Sequence, residues 1–197
     1  RHEAAEALGA IGSPEVISIL ETYLKDPVIE VAETCELALQ RIKWFQDQNR
    51  TKEQLSENPY ASVDPAPPAT LQDLSILKGI LMNNGASLFN RYRAMFALRN
   101  MRTKEAVVTL GSALKCGSAL FRHEIAFVLG QLQDEASVPY LRESLEDRSE
   151  NEMVRHECAE ALGSIATEDC FAVLTKYLSD EKRVVKESCV IALDMCE

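Results

Sequence analysis

Apolar residues recur at helical spacing along most of the chain, in short segments that alternate with longer ones. One unit reads as a short amphipathic helix over Ser137–Glu146, a turn through Asp147–Asn151, and a second helix from about Glu152 to Ile165. In that second helix Leu162 and Ile165 lie three apart, and Ala159, Leu162 and Ala166 form a stripe at helical spacing. The unit returns along the chain. Arg122-His-Glu-Ile-Ala-Phe-Val-Leu-Gly130 precedes Arg155-His-Glu-Cys-Ala-Glu-Ala-Leu-Gly163 by 33 residues (155 − 122), and Arg91-Tyr-Arg-Ala-Met-Phe-Ala-Leu98 stands 31 earlier (122 − 91). A longer period carries His2-Glu-Ala-Ala-Glu-Ala-Leu-Gly9 onto His156-Glu-Cys-Ala-Glu-Ala-Leu-Gly163, an offset of 154 (156 − 2), and also Glu33 onto Glu187 and Cys35 onto Cys189. Paired helices at such steps predict an all-α fold, an α-solenoid of HEAT-like helical hairpins in two related halves. A single hairpin cannot bury its own apolar face, so stacking supplies the core, and the Ala-Leu-Gly segments let neighbours approach closely.

Periodicity fails between Asp47 and Thr70. Within it, Asn58-Pro-Tyr-Ala-Ser-Val-Asp-Pro-Ala-Pro-Pro68 has four prolines, which lack donors and restrict the residues before them. The expected organisation is the C-terminal part of a first half over 1–46, a partly extended proline-rich linker over 47–70, and a second half over 71–197. The chain opens at Arg1 and stops at Glu197 inside periodic segments, and so reads as a fragment.

Composition narrows the function. Of 197 residues 46% are apolar and only 6% aromatic, which suits packed helices, and 31 acids against 21 bases give a net charge of −10. That balance argues against nucleic acid as a partner and for a basic or cationic one. No run approaches the roughly 18 apolar residues of a membrane span. The six cysteines, Cys35, Cys116, Cys158, Cys170, Cys189 and Cys196, include no C-x-x-C pair and mostly sit among apolar residues, the pattern of buried thiols in a reducing, cytoplasmic compartment.

All three histidines stand in one repeated tripeptide: Arg1-His2-Glu3, Arg122-His123-Glu124 and Arg155-His156-Glu157. Other units carry Tyr92-Arg93, Lys186-Glu187 and Ala32-Glu33 at this place. Arg and Glu are common on the solvated faces of helical repeats, so the histidine is the informative residue. One helical histidine alone reads as packed or solvent-facing; three at equivalent positions, each beside a carboxylate, read as metal ligands. Consecutive residues diverge by about 100° on a helix, so His-Glu is a poor chelator by itself and needs a neighbouring helix. Equivalent helices of stacked units pack about 8–10 Å apart, which lets His123 converge with His156 and Glu157 on one ion. Two imidazoles and a carboxylate form the open-sided set of non-haem iron. Zinc is the competing metal and would imply hydrolysis or a structural role. Glu124 is left over, to complete the coordination or to receive a cationic substrate. The 154-residue offset also places a fourth His-Glu upstream of Arg1, so that two matched sites would face each other across the linker as a dinuclear centre.

These residues resemble the deoxyhypusine hydroxylase family, HEAT-repeat di-iron monooxygenases. The likeness is carried by Arg1–Gly12, Ser62-Val-Asp-Pro-Ala-Pro-Pro68, Arg91–Asn100, Cys116-Gly-Ser-Ala-Leu-Phe-Arg-His-Glu124 and Met153–Gly163, and it runs over essentially the whole chain. The resemblance implies hydroxylation by O2 of the deoxyhypusine side chain of eukaryotic translation initiation factor 5A, with two Fe(2+) per intact chain. It implies that His123, His156 and Glu157 hold one iron, that His2 and Glu3 serve the other, and that Glu124 engages substrate. Because one histidine of the second set is lacking here, the fragment is expected to be impaired. Glu152 departs from the family's proline in Asn-Pro-Met-Val, which leaves the local turn open. Two other readings remain, a non-catalytic HEAT-repeat adaptor or bilin-lyase-like repeat protein, and a zinc hydrolase on the same scaffold.

Overall fold

A computed structural model of the chain describes residues 1–47, 54–70 and 73–195. Cys196 and part of the expected linker, 48–53, lie outside the described residues. Among those described there are eleven α-helices and no strand: α1 (His2–Ile11), α2 (Pro14–Thr22), α3 (Ile29–Gln46), α4 (Leu74–Met82), α5 (Leu88–Met101), α6 (Lys104–Ser112), α7 (Ala119–Leu132), α8 (Val138–Glu146), α9 (Glu152–Ile165), α10 (Glu168–Lys176) and α11 (Arg183–Met195). Nine-residue helices alternate with longer ones from α2 onward, which is the hairpin pattern of the repeat. The hairpin read from sequence over 137–165 coincides with α8 and α9. No described helix is long and apolar enough to cross a membrane.

The chain divides into two compact units, Arg1–Asn100 and Met101–Glu197. In the second, α7, α9 and α11 stack side by side as one layer, with α6, α8 and α10 packed against them. The stack is tight because small residues face one another. A methyl group on Gly163 would fall 2.7 Å from the Ala192 Cβ, and one on Gly130 would fall 3.1 Å from the Ala161 Cα. In the first unit α1 packs on α3 in the same manner, with a Gly9 methyl 2.6 Å from the Ala38 Cβ.

Residues 54–70 are pinned to the first unit. Fully buried Arg99 on α5 donates two hydrogen bonds to the Asp64 carboxylate, at 2.8 and 2.7 Å, and Arg41 on α3 donates to the Asp64 carbonyl at 3.0 Å. Ala69 N–H donates to the Arg93 carbonyl, while Ala66 is fully buried. The prolines prevent a helix; a buried ion pair fixes the course of the chain instead.

Helices α1, α5, α7 and α9 end alike. Gly12, Arg102, Gln133 and Ala166, each directly after its helix, have positive φ of 65, 52, 51 and 58°. Ala166 is therefore the exposed left-handed stop of α9 and lies outside the apolar stripe in which the sequence pattern had placed it.

Candidate metal centre

Helices α7 and α9 start in register. Ser118 caps α7 by accepting from the Phe121 N–H, and Asn151 caps α9 by accepting from the Met153 N–H. Each helix carries its histidine four residues after its first residue (119 to 123, 152 to 156), so the two rings emerge at the same height of adjacent helices. Glu152 occupies the first position of α9, where an acidic side chain favours the helix N-terminus and where proline is equally at home; the turn closes with either residue.

His123 and Glu157 are buried, and the His123 Nε2 lies 3.1 Å from a Glu157 carboxylate oxygen, joining α7 to α9. The His123 and His156 ring centroids are 5.5 Å apart. One donor atom from each of His123, His156 and Glu157 lies within 4.8 Å of the others. Donors about 2 Å from a common ion stand at most about 4 Å apart, so small side-chain rotations close this set. Two neutral imidazoles and one carboxylate leave coordination positions open, the donor chemistry of a catalytic rather than a structural site. Cys158, next to Glu157, does not join: it faces the core, and burial pushes its thiol pKa far up.

Glu124 is buried on α7 beside His123 and is not one of the three converging donors. His2 and Glu3 occupy the first turn of α1 in the other unit, the His2 Nε2 lying 2.9 Å from the Glu3 carboxylate.

Three features escaped the sequence reading. In the third copy the arginine of the tripeptide does not belong to a solvated face. Arg155, 2% exposed, donates from Nε to the Leu145 carbonyl at 2.9 Å and forks onto Asp180 at 3.2 and 2.6 Å, tying α9 to the end of α8 and to the turn before α11. That hydrogen bond is the chief reason the Asp180 carboxyl stays below its ordinary pKa. Arg122 likewise forks onto Glu150, at 2.8 and 2.7 Å. Arg91 repeats the bond to a carbonyl ten residues back, at Leu81.

The alignment of α11 also moves. It begins 31 residues after α9 (183 − 152), so Glu187 and Ser188, not Lys186 and Glu187, take the places of His156 and Glu157. By the 154-residue offset between α3 and α11 (183 − 29), the first unit has Glu33 and Thr34 there, not Ala32 and Glu33.

Finally, a carboxylate stands behind the second histidine. The His156 Nδ1 lies 3.4 Å from the Glu160 Oε1, one helical turn on, and Ser188 Oγ on α11 donates to the same oxygen at 3.0 Å. The hydrogen bond to His156, reinforced by that from Ser188, holds the Glu160 carboxyl below its usual pKa against the opposing effect of burial. The signal was visible as His-x-x-x-Glu spacing, but the partner hydroxyl comes from another repeat.

Comparison with known proteins agrees with this architecture. Residues 107–194 match the HEAT repeats family, and residues 1–26 and 91–116 match the PBS lyase HEAT-like repeat. The chain is 64% identical over 199 residues to the deoxyhypusine hydroxylase of Drosophila melanogaster and 57% identical over 197 residues to that of Homo sapiens. Both alignments take in all of this chain and 65% and 64% of those relatives' length, respectively. A solved structure of human deoxyhypusine hydroxylase in complex with glycerol superposes with a TM-score of 0.94 at 57% identity, covering all of this chain and 67% of that one.

Proposed function

Because the chain belongs to the deoxyhypusine hydroxylase family, we propose that it contributes one complete iron site to an O2-dependent hydroxylation of the deoxyhypusine side chain of translation initiation factor 5A. The convergence of His123, His156 and Glu157 on adjacent helices carries this reading. When bound, iron supplies the oxygen chemistry that amino-acid side chains lack. In the balanced reaction one oxygen atom enters a C–H bond of the substrate and the other leaves as water, with two electrons and two protons from an external reductant.

The protein's part is placement. His123 and His156 present neutral nitrogens and Glu157 offsets the cation's charge, and the burial of His123 and Glu157 strengthens their hold. Glu124, buried on the same turn as His123, is assigned to a substrate ammonium group, since the deoxyhypusine side chain is a cationic polyamine. The net charge of −10 favours approach of a basic protein. His2 and Glu3 are assigned to the second iron of a di-iron centre. Its remaining histidine has no counterpart among the three in this chain, so these 197 residues alone should be impaired in hydroxylation. The buried thiols Cys35, Cys158, Cys170 and Cys189 suit the reducing cytoplasm.

Anaerobic titration with Fe(2+), followed by calorimetry and metal analysis, tests the assignment. The chain should bind an ion that H123A, H156A and E157A each release, with far-UV circular dichroism unchanged. An ion bound equally well by all three variants, or by none of the proteins, would sink the metal reading in favour of a HEAT-repeat adaptor. If Zn(2+) is retained and Fe(2+) rejected, the hydrolase takes its place.

A further inference from the structure

The two histidines of the candidate centre are held differently. Four residues after His123 stands Phe127, which offers no acceptor, whereas four residues after His156 stands Glu160. The Glu160 oxygen nearest the ring is itself fixed from a third helix by the Ser188 hydroxyl, which is buried and only 3.5 Å from the same ring nitrogen. His156 Nδ1, Glu160 Oε1 and Ser188 Oγ thus form a closed polar triangle on the flank of the donor set, built from α9 and α11.

We infer that Glu160, anchored by Ser188, is a positioning residue that holds the Nδ1 hydrogen of His156 and so keeps the Nε2 lone pair available for the metal. The inference rests on the metal reading of His123, His156 and Glu157. Its physical basis is general. A neutral imidazole has one hydrogen, and a carboxylate accepting it at one nitrogen makes the other the ligand while fixing the ring plane. Duplication preserves the pair of residue types: the 154-residue offset places Glu6 four residues after His2 and Thr34, another hydroxyl, at the position of Ser188. The serine matters because Glu160 is partly exposed and would otherwise sample several rotamers. One donor from α11 restricts it to the oxygen position that faces the ring.

Two readouts on the 197-residue chain test this. Long-range proton–nitrogen NMR distinguishes the tautomers, and three histidines make assignment tractable. At a pH where the ring is neutral, His156 should carry its hydrogen on Nδ1 in the wild-type protein. E160A should move it toward the Nε2–H form that free histidine prefers, and E160Q, whose amide oxygen still accepts, should largely restore Nδ1–H. Co(2+) affinity should fall about 10- to 100-fold in E160A and less in S188A. A wild-type His156 found as Nε2–H, or E160A leaving both tautomer and Co(2+) affinity unchanged, would overturn the inference. Should no protein bind Co(2+) while the tautomer still follows Glu160, the metal reading fails and the control of the ring by Glu160 stands.

Discussion

Helices α1 and α9 share the run His-Glu-x-Ala-Glu-Ala-Leu-Gly, yet they sit in different surroundings. Helix α9 lies between α7 and α11 with α8 behind it; α1, within its own unit, lies on α3 and α2. The same arginine–aspartate pair marks the contrast. Arg155 and Asp180 are 2% and 5% exposed; in the pair related by the same offset Asp26 is equally enclosed, at 4%, and the contrast lies in Arg1, the first residue of the chain, whose side chain is 57% exposed. Leu162 is buried where its counterpart Leu8 is only half-buried. The repeated sequence therefore determines which groups are offered, while the stacked neighbours determine how dry they become. Electrostatic strength follows from the second of these, since a pair with one member open to water is screened and a fully enclosed one is much less so.

The largest test of this contrast is to remove each acid in turn. D180A leaves the Arg155 guanidinium enclosed without its carboxylate and should cost about 3–5 kcal/mol in urea unfolding. D26A should shift the midpoint by only a small fraction of that, because water reaches Arg1. Equal losses would show that the two pairs are not distinguished by enclosure. The pH dependence has a definite sign: a carboxyl whose pKa is lowered by folding stabilises above its unfolded value, about 3.9, and that contribution disappears as pH falls through the folded value. The advantage of the wild type over D180N should therefore be full at neutral pH and fade on acidification as Asp180 takes up its proton.

A smaller effect sharpens the point that the helix stack, unlike the ion pair, is equally close in both regions. G163A and G9A each force a methyl into the facing alanine, at 2.7 and 2.6 Å, and each should cost about 1–3 kcal/mol by thermal unfolding. A large loss for G163A with none for G9A would mean that α1 can slide on α3 where α9 is locked against α11. Smallest is the exchange of the helix stops. A166G should stabilise by about 1 kcal/mol, because glycine adopts positive φ without steric cost, and G12A should destabilise by a similar amount. Opposite signs at these equivalent positions are required if the left-handed turn is set by the repeat and not by the residue.

Much of this was legible in the sequence. The hairpin over 137–165 could be read from apolar spacing alone, and the converging trio from a tripeptide repeated at a 33-residue step. What could not be read depends on partners distant in the chain. Arg155 looks like any helical surface arginine until Asp180, 25 residues on, closes over it. Asp64 sits in a proline-rich stretch, and only α5 supplies the Arg99 that fixes it. The one-residue error in the α11 alignment arose because sequence similarity fades there to a few alanines and a cysteine, while the hairpin turn preceding it differs in length. Glu160 is the intermediate case: its spacing to His156 was on the page, but Ser188 was needed to give it a role.

Each left-handed stop lies ten residues beyond the histidine position of its helix: 12 from 2, 102 from 92, 133 from 123, and 166 from 156. Between one stop and the next motif the count varies, so the distance from motif to motif is 31 in one case (123 − 92) and 33 in another (156 − 123). The protein keeps a fixed ruler on the side of the helix that bears the chemistry and leaves slack on the other. An added residue in the outer hairpin arm changes only the length of a turn. One inserted between histidine and stop would swing the ring by about 100° relative to the cap and the packing face behind it. Growth and shrinkage of the repeats are thereby channelled to segments where they leave the site intact.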